Sequence, residues 1–235
     1  MRVNKGLMIA ATFDPTKRTS LITVADMCRK IEENSISLPL YQRDISWTLQ
    51  KCIDLLNYQL WGKAPVSPIS INVINTVDSA VPQVSFIDRE IISTIERGQY
   101  SVVDGQQRLT TNYKAYCNHD DFRNIVLDLG KGEFTEVRDS IRSNQIPVGI
   151  LLNKEDTKLF EYTKAKSALG SADVLSVLLQ VRSKMRNYNY TLNSAEDLTE
   201  DEQIEWFEVL NNAGSRVSII PVSYTHLRAH ETTLH

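Results

Sequence analysis

The sequence has too few cysteines, and places them too far apart, to support a covalent or zinc-bound framework. Cys28, Cys52 and Cys117 are odd in number and include no CxxC pair, which excludes a disulfide scaffold or a cysteine zinc site as the organising principle. A reducing, cytoplasmic setting is expected. No apolar run approaches the roughly 20 residues that span a bilayer, and nothing near Met1 has the apolar core of a signal peptide. Neither sign of charge is in large excess: 26 Lys and Arg face 29 Asp and Glu, for a net charge of -3. Any contact with nucleic acid must therefore come from a local cluster of cations, because the summed field repels phosphate. Internal repeats and low-complexity tracts are missing too. What remains is a chain of 235 residues with 42% hydrophobic side chains, enough for one substantial folded core.

Hydrophobic periodicity divides the chain into alternating elements. Val24, Met27, Cys28 and Ile31 recur at helical spacing behind a possible N-cap at Thr23, predicting a helix over about 23–33. SISLP reads as a short strand stopped by Pro39. Thr48 is placed to cap a second helix with the stripe Leu49, Cys52, Ile53, Leu56 and Leu60, ended by Gly62. Ile69, Ile71 and Val73 alternate, and VSFI (84–87) and YSVV (100–103) complete a set of strands. Leu109, Tyr113 and Tyr116 then continue at helical spacing. Further on come a strand near 125–129, pieces around 146–152, and helices near 154–168 and 171–187. A final helix starts at Thr199, where TEDE has capping-box form, and carries Ile204, Phe207 and Leu210 inward before ending at Asn211 to Gly214. Strands mixed with helices in this order predict an α/β (α+β) domain: a mixed sheet with flanking helices and a helical C-terminal part. The domain is expected over 21–220, behind an N-terminal extension over 1–20.

Three clusters could carry chemistry. The first is Asp104–Arg108, DGQQR, at the junction between the YSVV strand and the following helix. A helix start there presents unpaired backbone N–H groups and the positive end of the dipole to an anion. Gly105 permits close approach, Arg108 offers a fork of donors suited to phosphate, Asp104 could hold magnesium or orient a water, and Gln106 and Gln107 add neutral polar groups. The same residues also read as ordinary helix punctuation, since Asp104 with Gln107 three residues on resembles a capping box. The second cluster is Tyr41, Gln42 and Arg43, followed by Trp47. It can stack on a base and pair with phosphate, or can equally be boundary core with one solvated charge. The third, FEVLNNAGSRVS (207–218), contains Asn211 and closes a helix with Asn-Asn-Ala-Gly, where helix termination alone would explain Gly214.

LPLYQRDISW (38–47), VVDGQQRLTT (102–111) and FEVLNNAGSRVS, in that order, resemble the N-terminal domain of GmrSD-type restriction endonucleases, over roughly residues 20–220. The resemblance implies a ParB/sulfiredoxin-like core and a nucleotide-dependent sensor coupled to cleavage of modified or foreign DNA. By carry-over, Tyr41, Gln42 and Arg43 supply one part of the nucleotide site. Asp104, Gly105, Gln106, Gln107 and Arg108 supply the other, and Asn211 adds a third contact with Phe207 packed beside it. Arg43, Asp104 and Arg108 are the expected catalytic residues and Asp104 the expected metal ligand. The expected cofactor is Mg2+ with a nucleoside triphosphate, and the expected partners are DNA and a nuclease domain or subunit, with no membrane. Relatives of this kind often carry an HNH-type nuclease with metal-binding histidines, and that motif is not in this sequence. A non-hydrolysing nucleotide- or DNA-binding module and a ParB-like nuclease are the alternatives.

Three of the four histidines, His226, His230 and His235, lie in the last stretch. His226 and His230 have the spacing of one helical face, but no third ligand accompanies them. Residues 221–235 read instead as translated sequencing-adapter read-through, with the expectation that the native protein continues past about Ile220 in a different sequence.

Overall fold

The computed structural model describes residues 3–13, 18–42 and 47–212. Arg43, the end of the third cluster and the histidine-bearing tail lie outside the described residues. A short helix α1 (Lys5–Ala10) is capped by Asn4, whose side chain accepts the Gly6 N–H at 2.7 Å, and it buries nothing. Strand β1 (Arg18–Thr23) starts inside the segment read as an extension and runs directly into α2 (Val24–Glu32). The Thr23 hydroxyl accepts the Asp26 N–H at 3.1 Å, and Val24, Met27, Cys28 and Ile31 are all buried, as the spacing predicts. Strand β2 (Ile36–Pro39) is buried throughout. Helix α3 (Leu49–Trp61) begins at Thr48, which accepts the Lys51 N–H at 3.4 Å, and stops at Gly62.

Strands β3 (Ile69–Ile74), β4 (Gln83–Val84) and β5 (Gln99–Asp104) follow, and β5 turns through Gly105 into α4 (Gln106–Tyr116). Next come β6 (Ile125–Asp128), β7 (Glu133–Glu136), β8 (Gln145–Pro147), α5 (Val148–Leu151), α6 (Asp156–Ala165) and α7 (Ala172–Arg186). Strand β9 (Asn189–Glu196) and α8 (Glu200–Asn212) complete the described chain. The main sheet has six strands in the order β1-β9-β3-β5-β2-β4 and is mixed: β9 runs parallel to β3 and β2 parallel to β5, while the other pairs are antiparallel. A three-stranded antiparallel sheet, β7-β6-β8, stands apart from it. The fold is therefore the α/β class that the alternation of elements implies.

Two apolar cores result. One lies between the six-stranded sheet, α2 and the start of α4, with Met27, Leu38, Ile69, Val102, Leu109 and Tyr190 at its centre. The other fills the space among α3, the small sheet and α5–α7, around Leu56, Ile125, Phe134, Leu151 and Leu178. Helix α4 contributes to both, through Leu109 to the first and Ala115 to the second.

The structure corrects the sequence reading in three places. Only Gln83–Val84 of the VSFI region pairs as a strand, although Phe86 is buried beyond it. Strand β9 was not expected, and it lies inside the sheet, between β1 and β3, so the C-terminal part is not wholly helical. The predicted inward face of α8 is only partly buried, with Ile204 half-buried at its start. Gln203 is 1% exposed, whereas Phe207 and Leu210 are 39% and 38% exposed. The cause is local: among the described residues it is the start of α8 that is tied down, by Leu198 N–H to Asn72 Oδ1 (2.9 Å) and by the Tyr41 hydroxyl to Gln203 Oε1 (3.3 Å). Its start is the capping box that TEDE predicts. The Thr199 N–H donates to Glu202 Oε2 at 2.8 Å and the Glu202 N–H to Thr199 Oγ1 at 3.3 Å.

Candidate functional site

The corner between β5 and α4 positions the site. Gly105 is the N-cap, with φ +101°, in the left-handed region that favours glycine. A Cβ added there would also lie 2.4 Å from Ile69 Cδ1. Glycine is thus required by the backbone and by its neighbour on β3. Because the cap residue has no side chain, Gly105 cannot itself cap the first turn of α4. The capping-box reading of Asp104 and Gln107 does not hold. Asp104 precedes the cap and turns its carboxylate to Arg108 Nη2 at 3.2 Å, while Gln107 Oε1 accepts the Trp47 backbone N–H at 3.0 Å.

Arg108 is held from several sides. Besides Asp104 it donates to the carbonyls of Ser67 and, at 3.2 Å, Pro68, in the loop that leads into β3. Its side chain is 12% exposed and that of Asp104 32%. The guanidinium thus staples the loop before β3 to the first turn of α4, a task that its place in the sequence does not reveal.

The second cluster is built against the same corner. After β2 stops pairing, Gln42 continues the connection with its side chain: Nε2 donates to the carbonyls of Val102 (3.2 Å) and Val103 (2.9 Å) on β5. Its Oε1 is buried and has no partner among the described residues. Arg89, which sequence reasoning did not single out, fixes this turn by donating to the Gln42 carbonyl at 2.6 Å and the Leu40 carbonyl at 3.4 Å. The Tyr41 hydroxyl donates to Gln203 Oε1 at 3.3 Å, linking the turn to α8. Burial, assisted by the Glu200 carboxylate, pushes the Tyr41 hydroxyl up to about 12, so it remains a neutral donor at physiological pH. In the third cluster, Asn211 Nδ2 donates to the Phe207 carbonyl one turn back at 2.8 Å.

All three clusters meet in one cleft of about 980 Å³, at the upper end of the roughly 300–1,000 Å³ typical of small-molecule sites. Tyr41 and Gln42, Asp104 to Arg108, and Phe207, Leu210 and Asn211 all line it. The cleft also includes Glu208, inside the third cluster, and Ser70 of β3 and Asn193 of β9, which the sequence does not mark. Ser70 and Asn193 are adjacent partners in the parallel β3–β9 pairing. Polar residues within strand patterns are the only signal that could have pointed to them.

The architecture and site define a mixed-sheet α/β domain whose conspicuous cleft opens at a strand-to-helix corner. The family model for the GmrSD restriction endonuclease, N-terminal domain, matches residues 24–219, and the chain belongs to that family. Membership supports a phage-defence role. No match is found among curated proteins. Among the described residues, no helix is long and apolar enough to cross a membrane.

Proposed function

We propose that this chain is the nucleotide-binding, NTP-hydrolysing sensor domain of a modification-dependent restriction protein, and that it controls a nuclease carried on another domain or subunit. The observation that carries this reading is the convergence of Tyr41 and Gln42, Asp104 to Arg108, and Asn211 on one cleft at the start of α4. A helix N-terminus attracts phosphate through its N–H groups and dipole. Arg108 provides positive charge at the same corner, and Asp104 a carboxylate. Arg43, the third expected catalytic residue, belongs to the same proposal. So do a ParB/sulfiredoxin-like ancestry of the core and DNA as the partner whose state the domain reports.

Magnesium fits this donor set in one form only. Among the described residues, no group of three or more His, Cys, Asp or Glu side chains could hold a metal. Among the described residues the cleft offers two carboxylates, Asp104 and Glu208. Mg2+ is commonly held by one or two carboxylates together with substrate phosphates, so the ion would arrive with the nucleotide and be met by Asp104. There it would neutralise charge on the phosphates.

A second reading, a non-hydrolysing binding module, is favoured by the state of Arg108. Its donors already serve Ser67, Pro68 and Asp104, which leaves less of the guanidinium for charge developing on a transferred phosphoryl group. Phosphate release with magnesium and each of the four ribonucleoside triphosphates separates the two. Hydrolysis is expected to fall more than tenfold in Asp104→Ala and in Arg108→Ala, with folding verified by circular dichroism. A smaller loss in both folded variants overturns the catalytic assignment. Binding without release supports the module instead.

A further inference from the structure

Beside the large cleft lies a second groove of about 520 Å³, bounded by Trp47, Lys51, Asp54, Leu55, Tyr58 and Val66. Three residues, Trp47, Ser67 and Arg108, line both cavities. The Arg108 side chain, stapled to the Ser67 and Pro68 carbonyls, is the partition between them. The two spaces are neighbours across one guanidinium.

The groove's chemistry differs from that of the cleft. Lys51, Asp54, Leu55 and Tyr58 fall at i, i+3, i+4 and i+7 on α3, one continuous face. Leu55 is buried with Cys52, Ile53, Leu56 and Leu60 and forms the base of this face, while Lys51, Asp54 and Tyr58 stand outside the core. A helix face directed to solvent is ordinarily polar throughout. This one keeps Tyr58 41% exposed, and Trp47, Leu55 and Val66 line the same groove. Trp47 is fixed against the first turn of α4 by its own backbone N–H bond to Gln107. Flat aromatic and aliphatic walls, with Lys51 and Asp54 at one edge, suit a planar ligand with apolar faces and a hydrogen-bonding rim. A nucleobase has that form, and stacking on aromatic side chains is the usual way to hold one.

We propose that this groove is the seat of a nucleobase, so that one nucleotide straddles Arg108 with its base between Trp47 and Tyr58 and its phosphates at the start of α4. The assignment rests on the nucleotide-binding reading given above and adds to it the place where the base is recognised. Arg108 then contacts both halves of the ligand, and binding places a ligand against the staple that joins the loop before β3 to α4.

The test compares, by calorimetry, the binding of ribonucleoside triphosphates with magnesium and of inorganic tripolyphosphate. Triphosphates are expected to bind at least tenfold more tightly than tripolyphosphate. Trp47→Ala and Tyr58→Ala should each weaken nucleotide binding at least tenfold while leaving tripolyphosphate within twofold. Trp47→Phe should retain most of the affinity, and Trp61→Ala, an exposed tryptophan outside the groove, should change neither ligand. Unchanged nucleotide affinity in both alanine variants overturns the base seat and leaves the phosphate site standing. A parallel loss of tripolyphosphate also overturns it, since the two residues would then be supporting the cleft. Wild-type protein that binds neither ligand overturns the nucleotide reading itself and the base seat with it. A short single-stranded oligodeoxynucleotide that depends on Trp47 and Tyr58 and is not displaced by nucleotide would assign the groove to DNA, against the proposal.

Discussion

At the scale of single residues, the corner of the site is set by steric contacts that the chemistry of DGQQR does not announce. Gly105 adopts a φ of +101° and packs where a side chain would meet Ile69. Gly105→Ala is expected to destabilise the protein by about 1–2 kcal/mol for the left-handed backbone alone. The collision adds to this. Ile69→Val removes the Cδ1 atom that lies 2.4 Å from the added methyl group. By itself Ile69→Val should cost about 0.5–1.5 kcal/mol. In the double variant the losses should sum to less than the two single values, because the truncation makes room for the methyl. Chemical denaturation of the four proteins reads this directly. Strict additivity would mean that the tight contact with Ile69 is not what excludes a side chain.

At the scale of elements, caps and apolar stripes were legible and long-range pairings were not. Thr23, Thr48 and TEDE each announce a helix through a local hydrogen bond that involves only neighbours in sequence, and each forms where expected. Strand β9 escapes the same reading because NYTLNSAE is interrupted by Asn193 and Ser194. Those two are only half-buried: Asn193 lines the cleft, and Ser194 Oγ donates to the Arg18 carbonyl at 2.9 Å. Likewise, the inward assignment of Phe207 and Leu210 followed periodicity, and periodicity cannot say whether the facing surface is core or cleft. The turn after β6 shows how much a single polar residue can organise. Asp128, 3% exposed, accepts from Gln145 Nε2 at 2.7 Å, Asn144 Nδ2 at 3.1 Å and the N–H groups of Gly130 (2.9 Å) and Lys131 (3.1 Å). Gln145 above all, with those backbone donors, holds its carboxyl below the usual carboxylate range. Because the folded value is depressed, the resulting stability is complete above the unfolded value of about 3.9 and is lost as pH falls through the folded one. Asp128→Ala should cost about 2–4 kcal/mol at neutral pH by leaving several donors unpaired. Its penalty should shrink in denaturation series carried below pH 4. A penalty independent of pH would assign the effect to packing.

At the scale of the whole molecule, α4 is the element that makes two cores into one protein and carries the site between them. Its first turn faces the cleft, Leu109 enters the core under the six-stranded sheet, and Ala115 enters the core around α3 and the small sheet. Asn112 strengthens the junction: its Nδ2 donates to the Tyr190 hydroxyl at 2.8 Å, and Gln59 Nε2 of α3 donates to the same oxygen at 2.9 Å. Strand β9, α3 and α4 are thereby locked at one buried oxygen, whose proton burial holds in place well above the usual tyrosine range. Elements coupled in this way unfold together. Leu109→Ala removes a side chain 1% exposed, and the cavity should cost about 2–5 kcal/mol. Although the substitution touches only one core, the unfolding transition should remain single and move as a whole, with tryptophan fluorescence and far-ultraviolet dichroism coincident. Two transitions, of which only one shifts, would show that the cores are independent. In that case α4 could not relay occupancy of the cleft to the side of the domain built on α3 and α5–α7, and any sensor would have to signal through the six-stranded sheet and α8 alone.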